Sequence, residues 1–345
     1  MTSAETVRPA VRLQFWDVAK GIVILLVIIG HASGVDPMVR QLIFSFHMPF
    51  FFIANGYFIK RYDIRSTVRK SARSLLVPYA VVCFLSAVLC VVKNTGTEPG
   101  YRVFALRIVD MFAGMSKIST HFQQFESVWL VWFVICLFAA RVIYVCCMHY
   151  LERLPAFVAP IVMLLLAAAG WAVGEYYAFL PWSLDVALVA LPFLWCGNRL
   201  KDVIGKKYWP ILAAVCAVVW CVTAVLGVQI EMATRSYPLY YLCLVTAAAG
   251  SVFFVGISQL VDKYCPRLRR FFAWCGRNSM ILLAFHCLEM RFFDWNTLIF
   301  AGLPFSLGWL GKCVVKLLLI LPAAWLVVQL KELVRFLNTT ESVRA

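Results

Sequence analysis

Long apolar segments alternate with short polar connections along almost the whole chain. Most segments contain about 17 to 25 residues, enough for a helix to cross about 30 Å of hydrocarbon. Charged residues inside them are isolated, and polar and apolar positions do not alternate as in membrane β-strands. The pattern therefore predicts transmembrane helices. The ten predicted spans are residues 14–33, 41–59, 75–92, 127–148, 156–173, 177–198, 208–227, 237–260, 279–297 and 303–330.

The composition supports the same fold class. Of the 345 residues, 63% are hydrophobic and 15% are aromatic, which is too apolar for one soluble domain with a polar surface. We expect an all-α fold, a polytopic integral membrane helical bundle with about ten transmembrane helices. The longest connection, 93–126, contains one amphipathic stretch at 101–112. This stretch either lies on the membrane surface or forms a lid over an outward-facing site.

The distribution of basic residues predicts the orientation in the lipid bilayer. The formal net charge is +15, but Lys and Arg are concentrated in alternate connections, 60–73, 199–207 and 262–277, and in the C-terminal tail. This positive-inside pattern places those connections and both termini in the cytoplasm, and it argues against a nucleic-acid partner. We expect a multi-pass protein of the inner (cytoplasmic) membrane, and homo-oligomerisation is left open. The predicted parts are a cytoplasmic N-terminal segment at 1–13, a transmembrane domain at 14–335 and a cytoplasmic tail at 336–345.

Two ionisable residues lie within the first span, which contains the sequence DVAKGIVILLVIIGH. Lys20 and His31 are eleven residues apart, about three helical turns, so both side chains lie on one face and about 16 Å apart along the axis. Asp17 is one turn before Lys20 and is a candidate ion-pair partner for it. His31 has no such partner within its own helix. Because ionisable groups inside a membrane are costly, both residues are candidates for function.

The second span, which overlaps the sequence IFSFHMPFFFIANGYFIK, contains another histidine near its outer end. The short connection between the first two spans brings His47 to a depth similar to that of His31. Neutral imidazoles there could share a proton or a substrate hydroxyl, because histidine is the side chain best suited to act as a base near neutral pH. A hydrogen bond to a backbone carbonyl is the structural alternative. We expect Met48–Pro49 to kink this helix beside the imidazoles.

These segments resemble a known family. DVAKGIVILLVIIGH followed by FSFHMPFFFIANGYF is similar to the signature of the acyltransferase-3 membrane proteins, in particular the sugar O-acetylase branch. Weaker similarities follow in the same order: RSLLVPY (73–79), WLVWFVICLF (129–138), LPFLWCGNRLK (191–201) and WCGRNSMILLAFH (274–286). The resemblance covers residues 12 to about 290. Lys20 stands where the family more often has Arg, and Asn55 stands where it often has Ser.

The resemblance implies an enzyme that moves an acyl group, by default acetyl, from cytoplasmic acyl-CoA to a hydroxyl of an extracytoplasmic glycan or envelope molecule. Acyl-CoA would be a co-substrate, with no permanently bound cofactor and no metal. Lys20 would attract the CoA phosphates with help from Arg69, Lys70 and Arg73. His31 would be the general base. His47 or Asn55 would supply the oxyanion donor, and a covalent acyl-histidine is left open.

Other residues are weaker candidates for binding the acceptor or supporting the site. Glu126, Trp129 and Trp132 stand at the outer start of the fourth span, where tryptophans either anchor the helix at the interface or stack on a sugar ring. Arg141 either contacts a phosphate or pairs with a carboxylate. Asp185 could bind acceptor hydroxyls. His286 lies three residues before Glu289 on one helical face, as a site element or as a structural pair.

Two other classes of function compete with the enzyme. A transporter or exporter of a small polar molecule or polysaccharide, or an amino-acid-binding membrane module, also places charges inside the membrane. An inverted repeat with broken helices in both halves is typical of transporters, and the sequence shows neither. A purely structural membrane subunit gives no reason for Lys20, His31 and His47. The sequence therefore favours the acyltransferase.

Overall fold

The computed structural model describes residues 13–117, 121–295 and 308–344, with side chains as far as 335. These residues are largely helical and form no β-sheet; one isolated bridge joins Glu231 to Ser236. The helices are α1 Gln14–Gly30, α2 Pro37–Phe44, α3 His47–Tyr57, α4 Ile64–Ser71, α5 Val77–Lys93, α6 Gly100–Ala113, α7 Trp132–Leu151, α8 Val158–Tyr176, α9 Leu184–Val189, α10 Leu191–Val203, α11 Trp209–Val225, α12 Tyr240–Tyr264, α13 Pro266–Arg277, α14 Ser279–Phe292 and α15 Trp309–Arg344.

The all-helical membrane fold is confirmed. Five described helical segments are long and apolar enough to cross a membrane: Ile64–Lys93, Trp129–Leu151, Val158–Tyr176, Tyr240–Tyr264 and Trp309–Arg335. The number of ten spans and the cytoplasmic side of both termini stay predictions. Parts of the predicted N-terminal segment (1–12) and of the ninth and tenth spans (296–297 and 303–307) lie outside the described residues. α15 continues past the predicted boundary at 335 to Arg344.

The second predicted span is two helices, because α2 ends and α3 begins around Ser45 and Phe46. The Ser45 hydroxyl donates to the Leu42 carbonyl and accepts a 2.7 Å hydrogen bond from the Trp220 indole, which ties the break to α11. The kink expected at Met48–Pro49 is therefore placed wrongly. Pro49 is the third residue of α3, where a missing N–H costs nothing, since the first-turn amides have no partner within the helix.

The amphipathic stretch in the longest connection forms α6, which packs against α5 and against the short 3₁₀ turn at Pro181–Ser183. The Tyr79 hydroxyl of α5 donates to the Met111 carbonyl at 2.6 Å. Tyr101 and Phe112 are exposed large apolar side chains on this helix. Such exposure suits a helix whose apolar residues contact lipid at the membrane surface.

Two reciprocal glycine contacts hold the helices that carry the predicted site. A Cβ atom on Gly21 of α1 would lie 1.9 Å from the Phe272 carbonyl oxygen of α13, and one on Gly276 of α13 would lie 1.8 Å from the Asp17 carbonyl oxygen. Here the two backbones touch, which only glycine allows. The same arrangement joins α3 to α10, where Gly56 and Gly197 each face the other helix's backbone.

We expect Gly276→Ala to separate α1 from α13. The added methyl meets backbone rather than a movable side chain, so the helices must shift apart, at a cost of at least about 1–3 kcal/mol. A lower unfolding temperature and a lower yield of monodisperse protein in detergent would show this. Gly308→Ala is the control, because nothing lies within 4 Å of a Cβ there. Equal unfolding temperatures for both variants would contradict the contact.

Candidate active site

A cavity of about 980 Å³, counted with its open mouth, runs along one face of α1. Lys20, Ile24, Val27 and His31 line it, a spacing of three to four residues that keeps them on one side of the helix. The track predicted from the sequence is thus a wall of a cavity. The other walls come from α2, α3, α7, α14, the loop after α11 and the short helical turns that precede α5 and α7. They are formed by Phe44, His47, Met48, Phe51, Asn55, Leu75, Leu130, Trp132, Phe133, Leu137, Ile230, Glu231, Met232, Ala233, Ser279, Met280 and Leu283.

The two predicted imidazoles meet at one end of this cavity, with ring centres 6.2 Å apart. Each Nδ1 lies 2.9 Å from the carbonyl oxygen four residues earlier, that of Val27 for His31 and that of Ile43 for His47. A carbonyl can only accept, so Nδ1 carries the proton in both rings. The neutral rings therefore present an Nε2 lone pair, which can accept a proton but cannot donate one.

A third histidine, His286 of α14, completes the cluster. Its ring centre lies 5.5 Å from that of His31, and its side chain is fully buried. The Nδ1 atom is 2.8 Å from Glu289, whose carboxylate also pairs with Lys316 at 2.9 Å and accepts a hydrogen bond from the Trp295 indole. The Nε2 atom makes no hydrogen bond to any described residue. His286 and Glu289 are candidates from the sequence alone, whereas Lys316 was missed. The sign that could have revealed Lys316 is a single lysine inside an otherwise apolar span.

Lys20 lies at the opposite end of the cavity and forms the ion pair expected from its spacing. Its Nζ is 2.9 Å from Asp17, and the Lys20 side chain is 25% exposed. The ammonium also lies 5.9 Å from the Phe58 ring centre. Lys20 is therefore positioned by Asp17 while still lining the cavity.

Arg141 stands behind Asn55 rather than in the cavity. Its Nη1 donates to Asn55 Oδ1 at 2.6 Å. A guanidinium has no acceptor atom, so this contact fixes the orientation of the amide and leaves its NH₂ group for other partners. Asn55 lies eight residues after His47, about 12 Å along the helix. This separation makes Asn55 unsuited to stabilising an oxyanion beside the histidines.

Arg69, Lys70 and Arg73 lie on α4 and on the π-helical turn at Ala72–Leu76 that joins it to α5. Together with Asp63, Arg65 and Ser66 they line a separate surface groove. Leu75, in the same π-helical turn, lines the central cavity. The basic groove and the cavity are thus neighbours connected through one short turn.

The candidates at the start of the fourth span separate into two groups. Glu126 pairs with Arg107 of α6, with Nη2 donating to Oε1 at 2.6 Å, and this hydrogen bond lowers the pKa of Glu126. Trp129 is partly exposed and adopts a positive φ of 56°. Neither residue lines the cavity. Trp132 does, and its indole N–H makes no hydrogen bond to any part of the chain that is described.

Asp185 lies in a buried ion pair outside the cavity. Arg235 donates from Nε to Oδ2 at 2.7 Å and from Nη2 to Oδ1 at 3.0 Å, and it also bonds the Ser116 hydroxyl. The two charged side chains are 2% and 0% exposed. This bidentate contact fastens the loop between α11 and α12, which supplies residues 230–233 to the cavity wall. No local pattern in the sequence points to Arg235, which lies fifty positions from its partner.

Residues 13–328 match the acyltransferase domain of the acyltransferase-3 family. The chain belongs to this family, and it is therefore a membrane acyltransferase in general terms. No curated protein and no solved structure matches it significantly.

We expect Asp185→Asn to destabilise the protein by about 3–5 kcal/mol, because it leaves the Arg235 charge buried without its partner. Thermal unfolding in detergent measures this effect. Asp202→Asn is the matched control, since Asp202 pairs with Arg199 at 3.7 Å but is 71% exposed. If Asp185→Asn unfolds like wild type and only weakens use of the acceptor, Asp185 binds the acceptor as the sequence suggested.

Proposed function

We propose that the protein transfers an acyl group, acetyl by default, from cytoplasmic acyl-CoA to a hydroxyl of an extracytoplasmic glycan or envelope molecule. The observation that carries this proposal is the cavity itself, with an ammonium at one end and a cluster of imidazoles at the other. Transfer across part of a bilayer needs such a path, because the nucleotide of CoA is too charged to enter the membrane. The sugar O-acetylase-like branch and the inner membrane are part of this proposal, and a succinyl group would fit the same chemistry.

His31 acts as the general base. Its Nε2 lone pair takes the proton of the acceptor hydroxyl while that oxygen attacks the thioester carbonyl. The tetrahedral intermediate then collapses, the carbon–sulfur bond breaks, and the His31 proton passes to the leaving CoA thiolate. The products are an ester and CoA-SH, and the imidazole returns to its starting state. His47 lies close enough to assist, and its fixed Nδ1 proton gives it the same basic nitrogen.

The oxyanion needs a donor, and the tautomers restrict the choice. Neutral His47 has no Nε2 proton to give, and Asn55 lies too far along α3. We assign the role to the Trp132 indole N–H, a neutral donor on the cavity wall that has no partner among the described residues. The sequence placed Trp132 among the residues that bind the acceptor or support the site. In this assignment its indole N–H instead donates to the oxygen of the reacting carbonyl.

Acyl-CoA would enter from the end marked by Lys20. The basic groove of Arg69, Lys70 and Arg73 suits the nucleotide phosphates, and Lys20 suits a phosphate nearer the cavity mouth. Asn55, oriented by Arg141, presents its NH₂ group to an amide carbonyl of the pantetheine arm. Asp17 keeps Lys20 in place.

We expect His31→Ala to reduce acyl transfer at least about 100-fold, because the reaction loses its base. Proteoliposomes containing the purified protein, radiolabelled acetyl-CoA and an envelope extract as acceptor would be assayed for release of CoA. His149→Ala is the matched control: its Nδ1 also contacts a backbone carbonyl, that of Tyr62, but it does not line the cavity.

Normal CoA release by His31→Ala would remove the general-base assignment. If wild type also leaves the thioester intact while a labelled saccharide crosses the membrane, the transporter alternative replaces the enzyme. Parallel reactions with succinyl-CoA identify the preferred acyl group.

We propose that Glu289 holds the His286 ring against His31, whose ring centre lies 5.5 Å away, and so limits the movement of His31. The single variant Glu289→Gln leaves the Lys316 ammonium buried without its carboxylate, so a loss of activity could reflect unfolding. The double variant Glu289→Gln/Lys316→Met removes both charges. We expect it to unfold near the wild-type temperature, to keep the KM for acyl-CoA, and to lose kcat severalfold, since His286 is then no longer held against the His31 ring. A wild-type kcat in this double variant would show that the network only stabilises the fold.

A further inference from the structure

The end of the cavity beside His31 carries a charged pair that no step above uses. Residues 230–233 of the loop between α11 and α12 close this end. Among the described residues that line the cavity, Glu231 is the one carboxylate. Arg40 of α2 reaches it, with Nη2 to Oε1 at 3.6 Å, and the two side chains are 40% and 29% exposed.

The loop does not need this pair to hold its shape. The backbones of Glu231 and Ser236 exchange two hydrogen bonds of 3.1 Å each, and the Ile230 N–H donates to the Phe44 carbonyl at 3.2 Å. The buried contact between Arg235 and Asp185 fastens the other side of the loop. A long ion pair between half-exposed side chains adds little to stability. The Glu231 carboxylate is thus held in place by its backbone, and its side-chain partner is exchangeable.

The Phe44 ring separates the Arg40–Glu231 pair from His31 and His47. The Arg40 guanidinium lies 3.9 Å from the centre of the Phe44 ring. That ring in turn lies 5.2 Å from the His31 ring and 4.7 Å from the His47 ring. Anything bound by Arg40 and Glu231 would therefore reach the imidazoles with its next few atoms.

We propose that Glu231 and Arg40 form the acceptor subsite and that it takes a polyhydroxylated, sugar-like molecule. The carboxylate accepts hydrogen bonds from two neighbouring hydroxyls, the guanidinium donates to ring or hydroxyl oxygens, and the buried Phe44 ring holds Arg40 beside the imidazoles. A molecule that separates the pair must satisfy both charges, which a simple alcohol cannot do. The subsite depends on the proposed acyl transfer in one respect only, namely that another hydroxyl of the bound molecule lies at His31.

Binding can be measured without turnover. Saturation-transfer NMR with the protein in nanodiscs would use methyl gluco-, galacto- and mannopyranosides, with cyclohexanol as an apolar alcohol of similar ring size. We expect at least one glycoside to bind wild type and to bind Glu231→Gln and Arg40→Gln roughly tenfold more weakly, the effect of losing a charged hydrogen bond. Glu98→Gln and Arg102→Gln, exposed positions outside the cavity, should bind like wild type. Cyclohexanol should not distinguish the variants.

The charge-exchanged variant Arg40→Glu/Glu231→Arg distinguishes a binding site from a purely structural ion pair. A structural ion pair forms whichever of the two positions holds the carboxylate, whereas an acceptor site depends on which position holds it. Wild-type glycoside binding by the exchanged variant, undiminished binding by both single variants, or no binding of any glycoside to wild type would each overturn the subsite. The acyl-CoA assay decides the transferase separately, since glycoside binding without thioester loss keeps the subsite and removes the enzyme.

Discussion

The architecture depends on the direct contact of helix backbones at paired glycines. Gly21 of α1 meets α13 and Gly56 of α3 meets α10, each at a distance that leaves no room for a methyl group. Each glycine directly follows a polar residue of the cavity, Lys20 or Asn55. Because neighbouring helical positions point about 100° apart, the glycine faces the adjoining helix while the polar side chain faces the cavity. The contact that fixes each helix therefore also fixes the height of the polar group beside it.

Polar groups around the cavity are organised by their neighbours rather than left to find partners. Backbone carbonyls hold two imidazoles, Glu289 holds the third, Arg141 orients the Asn55 amide, and Asp17 holds Lys20. Charges that could disturb the apolar interior are paired, as Asp185 is with Arg235. Such preorganisation lowers the rearrangement needed when substrate arrives, which is where electrostatic stabilisation of a transition state gains most of its effect.

The sequence predicted the parts of this structure that follow from local periodicity. Hydropathy located the helices, and the 3.6-residue repeat placed Lys20 and His31 on one wall. Features that depend on contacts between distant segments could not be predicted in this way. The break before His47 is tied by Trp220, the partner of Asp185 lies fifty positions away, and Glu289 is paired from α15. The kink was expected at Pro49 because proline breaks helices, but the first turn of a helix tolerates proline.

The hydrogen bond from His31 Nδ1 to the Val27 carbonyl has a consequence for proton movement. With that nitrogen committed to its own helix, the ring cannot pass a proton from one side to the other. A proton received at Nε2 must leave from Nε2, into the same cavity. In the proposed reaction it departs with the CoA thiol, so each acyl group that reaches the acceptor is exchanged for one proton carried away by CoA.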